Sequence, residues 1–232
     1  MVYGKVQEMW RDFIAYKYAV HVSVLLTGVA LYIGGTNGYA WYIASRERSA
    51  QIVMADAFKE YSDALHKLNN EKDANDQVVQ QHIDDAMFAL DAVLRNHKSS
   101  YLAPYAQAFK ADLAIAKGYK KEGLVQLEQA VASMHENTPA YFLLKNKMAL
   151  LRIDLGDVER GVKELDDLSG YYNNPHTDVS AFYLGSYYWA QGDIAKAKDA
   201  WQRIIALKED SDFASAISPF SEIVAEKLQQ IG

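Results

Sequence analysis

The sequence predicts an all-α protein: one N-terminal transmembrane helix, then a right-handed solenoid of helical hairpins closed by a C-terminal capping helix. Three observations predict it. Residues 18–45 contain no Asp, Glu, Lys or Arg over 28 positions. Gly118, Gly156 and Gly192 recur 38 and 36 residues apart, each between two stretches with helical spacing of apolar residues. Only 4 Pro and 13 Gly interrupt a chain that is half hydrophobic, and no convincing strand pattern follows Ser45.

The amino-terminal elements follow from charge and length. Residues 1–17 read as a short tail and residues 18–44 as the transmembrane helix. Of the 27 residues from Tyr18 to Ala44, 18 are apolar, and about 20 such residues span the hydrocarbon core of a bilayer. Tyr16, Tyr18, Tyr39, Trp41 and Tyr42 lie near its ends, where amphipathic rings favour the membrane interface. A cleaved signal peptide fits less well, because the uncharged run exceeds an ordinary h-region and Glu8 and Asp12 precede it. A β-hairpin turning at Asn37-Gly38 lacks a further strand to pair with. A buried core helix is disfavoured because the segment stands apart from the repeats. Gly34 and Gly38 form a GxxxG spacing that lets another membrane helix approach closely, and the run Gly34–Gly38 is also where the anchor would kink or end. Basic residues are nearly balanced on the two sides, with Lys5, Arg11 and Lys17 before the span and Arg46, Arg48 and Lys59 after it, so charge alone barely orients it.

Residues 45–232 read as one helical-repeat domain. Its expected pairs are 45–96, 101–135, 139–172 and 178–210, with a cap over 213–230. Seven residues before each repeated glycine stands Ala111, Ala149 or Gly185, and five after it Gly123, Gly161 or Ala197. Nine after come Leu127, Leu165 and Trp201, and twelve after come Ala130, Leu168 and Ile204. Small residues let paired helices approach, glycine supplies a left-handed helix end, and large residues fill the space against the next pair. Ala86, Leu90 and Val93 repeat the second-helix spacing, marking 45–96 as a degenerate first pair. Ser218-Pro219 reads as the N-cap and first position of the capping helix.

Within the last unit, Leu184-Gly185, Tyr188, Gly192-Asp193, Ala197 and Trp201 resemble the signature of the tetratricopeptide repeat. The middle unit departs from it, with Arg152 at the usual aromatic position and Gly161 at the usual Ala; the first has Lys110 at the usual Leu. The whole order of elements, including Asn96-His97-Lys98-Ser99-Ser100-Tyr101 after the divergent hairpin and Asp199-Ala200-Trp201 in the last, is similar to that of the YfgM family, ancillary subunits of the bacterial Sec translocon. That resemblance implies a single-pass bacterial inner-membrane protein with a cytoplasmic amino terminus and periplasmic repeats. It also implies two partners, SecYEG and a membrane-anchored prolyl-isomerase-like chaperone, and no catalytic residues.

The residues themselves point to binding, not catalysis. Lys and Arg number 24 against 30 Asp and Glu, a net charge of −6, and residues 1–43 carry +1 of it, leaving −7 beyond. No basic face exists for nucleic acid. Cysteine is absent, removing disulfides, thiolate nucleophiles and Cys-ligated metals. The six histidines are dispersed, His82 with Asp84 and Asp85 is an ordinary helix surface, and the adjacent pair Asp166-Asp167 diverges on a helix. Neither a phosphate loop nor a nucleophile elbow is present. No metal, cofactor or small-molecule substrate is expected. Stacked hairpins instead expose a concave face lined by their first helices. By analogy with the tetratricopeptide groove, its lining would be Tyr105, Asp112, Asn146, Leu150, Phe182, Ser186 and Trp189. Phe182 and Trp189 form either an aromatic platform for an extended peptide or part of the stack's core. Two other readings stay open: a soluble or secreted repeat scaffold unconnected with Sec, and an enzyme built on the same scaffold without a recognisable motif.

Overall fold

A computed structural model describes residues 36–69, 77–171, 173–210 and 218–231. All regular structure among them is helical: α1 over 36–69, α2 (Gln77–Asn96), α3 (Ala103–Ala116), α4 (Lys120–Ala132), α5 (Pro139–Asp154), α6 (Val158–Ser169), α7 (Thr177–Ala190), α8 (Ile194–Asp210) and α9 (Ser221–Ile231). Asn37 and Gly38 are helical, so the hairpin reading, which needs a turn there, is overturned. The greater part of the expected span, 18–35, including Gly34, lies outside the described residues. Among the described residues no helix is long and apolar enough to cross a membrane.

The chain divides into two units at the boundary between Ile52 and Val53, within α1. In the first, Gly38, Tyr39, Trp41, Tyr42 and Ile43 are exposed, and the Arg46 guanidinium lies over the Tyr42 ring at 5.6 Å. In the second, helices pair in chain order, α3 on α4, α5 on α6 and α7 on α8, while α2 packs on α3, α4 on α5, α6 on α7 and α8 on α9. Each helix thus meets its neighbours in sequence, the arrangement of a solenoid.

The three repeated glycines end α3, α5 and α7 as their spacing predicts. Gly118, Gly156 and Gly192 have φ of 87°, 91° and 76°, the left-handed region open to glycine. Each turn closes with the same two bonds. The N–H groups of Tyr119, Asp157 and Asp193 reach back to the carbonyls of Ala114, Arg152 and Tyr188 at 2.9 Å each, and the glycine N–H groups to those of Ile115, Ile153 and Trp189. This is the Schellman pattern, which satisfies carbonyls that a helix end would leave bare.

The columns of small and large residues meet where expected. A Cβ on Gly161 would lie 2.5 Å from the Ala149 carbonyl oxygen, and one on Gly123 would lie 3.1 Å from that of Ala111. Leu127, Leu165 and Trp201 are fully buried, and Ala130, Leu168 and Ile204 beside them are buried too. The core among the described residues is a chain of four clusters, each joining three or four successive helices. Met54, Ala57, Tyr61 and Ala64 of α1 meet Val79, Ile83, Ala86, Leu90 and Val93 of α2, and the last cluster joins Ala181, Ala197, Trp201 and Ile204 to Val224 of α9. Pro219 lies in the turn before α9. Ser218 Oγ accepts from the Phe220 N–H at 3.2 Å and donates to Asp178 at 2.7 Å, tying the start of the last helix to α7.

Candidate functional site

The seven residues expected to line the inner face fall on α3, α5 and α7, with different degrees of engagement. Tyr105 is half-buried against the first core cluster. Asp112 is the most connected. It accepts a hydrogen bond from the Tyr61 hydroxyl at 3.1 Å and pairs with Lys147, so one carboxylate joins α1, α3 and α5. Burial, and then the Asp112 charge, push the Tyr61 phenol well above its ordinary value, so it remains a donor. Asn146 is 2% exposed; its amide donates to the Phe142 carbonyl at 3.1 Å, and its Oδ1 has no partner among the described residues. Leu150 is half-buried on the cluster of Ala149, Leu165, Leu184 and Ala200. Ser186 is half-buried on α7.

Phe182 and Trp189 are held by the last helix and the turn before it. The Phe220 ring stacks on Phe182 with centroids 4.3 Å apart. Trp189 packs on Trp201 at 5.7 Å, and the Lys227 ammonium sits over both indoles at about 5.5 Å. Both rings are therefore engaged within the stack.

If Asp112 is a strut between inner helices, removing its charge should loosen the repeat domain modestly. Asp112→Asn is expected to cost roughly 1 kcal/mol, since the groups are partly exposed. That corresponds to a fall of about 2–4 °C in the melting midpoint followed by circular dichroism. Tyr61→Phe alone should give a smaller shift, isolating the phenol's share.

A second feature was not marked by any sequence pattern. Between the start of α5 and the end of α6 lies a cleft of about 200 Å³. Its floor is Phe142, 2% exposed, with Leu168; Tyr141 meets Phe142 edge-on at 5.3 Å and Tyr171 lies 5.8 Å from it on the other side. Glu136, Asp167 and Lys145 stand around the opening. Burial, then the Glu136 charge and Tyr171, raise the Tyr141 phenol above its ordinary value. Beneath lies Glu164, engaged by the buried Arg152, which also reaches Glu128 at 2.6 Å. Tyr141-Phe142 and Tyr171 are 29 residues apart and have no shared motif, so only the packing of α5 on α6 unites them. No cluster of three or more metal-ligating side chains occurs among the described residues.

These repeated hairpins with glycine-closed turns are the architecture of tetratricopeptide-like proteins. The chain belongs to the tetratricopeptide repeat-like domain family, whose pattern it matches over residues 15–232. No curated protein matches it. Among solved structures it is similar to the nearly identical tetratricopeptide-like repeats of a kinesin-light-chain-like protein of Podosopora anserina, at 17% identity over 75% of this chain and 85% of that one, with a TM-score of 0.50. It is also similar to a tetratricopeptide repeat protein of Parabacteroides merdae, at 17% identity over 74% of this chain and with a TM-score of 0.47. The chain spans 61% of that protein's length. Membership of this family makes the repeat domain a helical scaffold of the kind that binds protein partners.

Proposed function

We propose that the chain is a membrane-anchored interaction module that holds protein partners beside the Sec translocon on the periplasmic side of a bacterial inner membrane, without catalysing a reaction. The observation that carries the membrane part is the 28-residue uncharged run, near whose end Tyr39, Trp41 and Tyr42 are exposed together at the start of α1. Three large aromatic rings on one exposed helical segment would be costly in water and are at home at a bilayer interface. The tetratricopeptide-like repeats support the interaction role, and the order of elements shared with the YfgM family supports SecYEG and a membrane-anchored prolyl-isomerase-like chaperone as partners.

The missing cysteines provide the test. One cysteine is placed at Ser133, an exposed position at the end of α4, and separately one at Gln7. Cells made permeable only at the outer membrane are treated with a membrane-impermeant maleimide, and both sites are shown to react after lysis. Labelling of Ser133 alone is expected. Labelling of Gln7 alone would put the repeats in the cytoplasm and end the Sec reading; failure of SecY to co-purify in mild detergent would end it independently. Mass spectrometry of the mature amino terminus separates an anchor from a cleaved signal and so tests the secreted-scaffold alternative.

A further inference from the structure

We propose that the cleft between α5 and α6 is a docking site for an arginine side chain of a partner polypeptide, with the guanidinium between Tyr141 and Tyr171 and its charge met by Glu136 and Asp167. It goes beyond the anchor and translocon reading, because it uses none of the inner-face residues and stands whichever compartment the repeats occupy.

Size sets the first limit. At about 200 Å³ the cleft is smaller than the roughly 300–1,000 Å³ of small-molecule sites, but it accommodates one long side chain. The walls set the chemistry. Phe142 is buried between half-buried Tyr141 and exposed Tyr171, so the two rings flank an apolar floor. Flanking aromatic faces attract a planar cation, and arginine stacks on them better than lysine does. The molecule already contains a precedent: Lys145 Nζ lies over the Tyr141 ring at 5.9 Å, and no ion pair to it occurs among the described residues.

Charge sets the sign. Three carboxylates, Glu136, Glu164 and Asp167, line the cleft against the single ammonium of Lys145. Glu164 is neutralised from below by Arg152. Asp167 pairs only with exposed Lys163 along its own helix, a contact of small value. Glu136 has no ion pair among the described residues, and its charge is felt by Tyr141. Within the lining this leaves Glu136 and Asp167 against Lys145, one negative charge in excess beside the two rings. An acidic partner would be repelled there, and a neutral apolar one would leave Glu136 without a counter-charge.

Tyr141 is the third residue of α5 and Tyr171 lies two residues past the end of α6, which explains how they come together. Glu164, Asp167, Leu168 and Tyr171 follow one another at spacings of three, four and seven along one face of α6 and its exit, opposite Tyr141 and Lys145 one turn apart on α5.

The test titrates acetyl-Gly-Arg-Gly-amide into the full chain in detergent micelles, with leucine methyl groups labelled with carbon-13. Leu168 reports the cleft and fully buried Leu90 reports the rest of the fold. A saturating shift at Leu168, without one at Leu90, is expected. The same peptide with citrulline, which keeps the shape and loses the charge, should bind at least threefold more weakly. Glu136→Gln and Tyr171→Ala, both at exposed positions outside helices, should each weaken the arginine peptide by roughly threefold, in line with an exposed charge contact or cation–π contact. Equal binding of the two peptides, a non-saturating shift, or equal movement of Leu90 would overturn the assignment.

Discussion

Trp201→Ala is expected to cost the repeat domain about 3–5 kcal/mol, the range for removing a fully buried aromatic side chain. Trp201 is the largest buried side chain in the described residues, and it sits where three helices meet. Its ring packs on Trp189 of α7 and lies under Lys227 of α9. Its Nε1 donates to the Phe182 carbonyl at 3.3 Å, so the indole's one polar atom is partnered inside the stack. At 2–4 °C per kcal/mol for a domain of this size, the melting midpoint should fall by roughly 10 °C by differential scanning calorimetry. Its complement on the facing helix is Gly185. A methyl there would run into the indole, with Cε2 only 2.8 Å away and Nε1 and Cδ1 nearer still. Gly185→Ala should therefore cost roughly 1–3 kcal/mol by overpacking. In a Trp201→Leu background the same change should become neutral, or stabilising by up to about 1 kcal/mol as alanine's helix propensity takes over. A cycle of the four proteins in urea checks this. Additive costs would mean that Gly185 is small for some reason other than the indole.

That pair also marks how far the chain could be read without coordinates. The glycine turns were legible because their cause is local: a helix that must end within one residue needs a left-handed position, and three glycines in register announce it. The columns were legible because one contact is repeated, so Ala111 with Gly123 and Ala149 with Gly161 carry the same message twice. For Phe182 and Trp189 the sequence left two readings, a platform or part of the core; the structure matches the second, but the partners that hold them were not legible. What packs on them is Phe220 and Lys227, each 38 residues further on, in the turn before α9 and in α9 itself, a helix with no repeat partner to predict its seat. The sequence singles out Asp112 only as a candidate for the inner face, whereas its engagement by Tyr61 and Lys147 depends on three hairpins stacking. The cleft left no trace in the sequence at all. Its aromatic rings come from α5 and the segment that follows α6, and no spacing rule connects residues 141 and 171.

Arg152 shows the same division within one side chain, and it gives the other large effect. The sequence marks it as the residue that replaces an aromatic in the repeat signature. Packing makes it the hub of a charged cluster: 2% exposed, it holds Glu164 with one guanidinium nitrogen and Glu128 with another, joining α4, α5 and α6 across two hairpins. Burial works against its charge, but the hydrogen bonds and charges of Glu164 and Glu128 outweigh that and hold it protonated above its ordinary value. Arg152→Ala removes the cation and leaves Glu164, itself mostly buried, facing Glu128 with only the exposed Arg160 beside it at 3.4 Å. A cost of about 3–5 kcal/mol is expected, as for breaking a buried ion pair from one side. Arg152→Met combined with Glu164→Gln should recover most of it, because filling the volume while removing both charges avoids the stranded carboxylate. If the double variant were no more stable than Arg152→Ala, the cluster would owe its worth to the ion pair and not to the avoidance of unpaired charge. Because repeats of this kind communicate only through neighbouring interfaces, the alanine variant should also unfold less cooperatively, with a lower urea m-value, as the two halves of the stack on either side of α5 begin to melt separately.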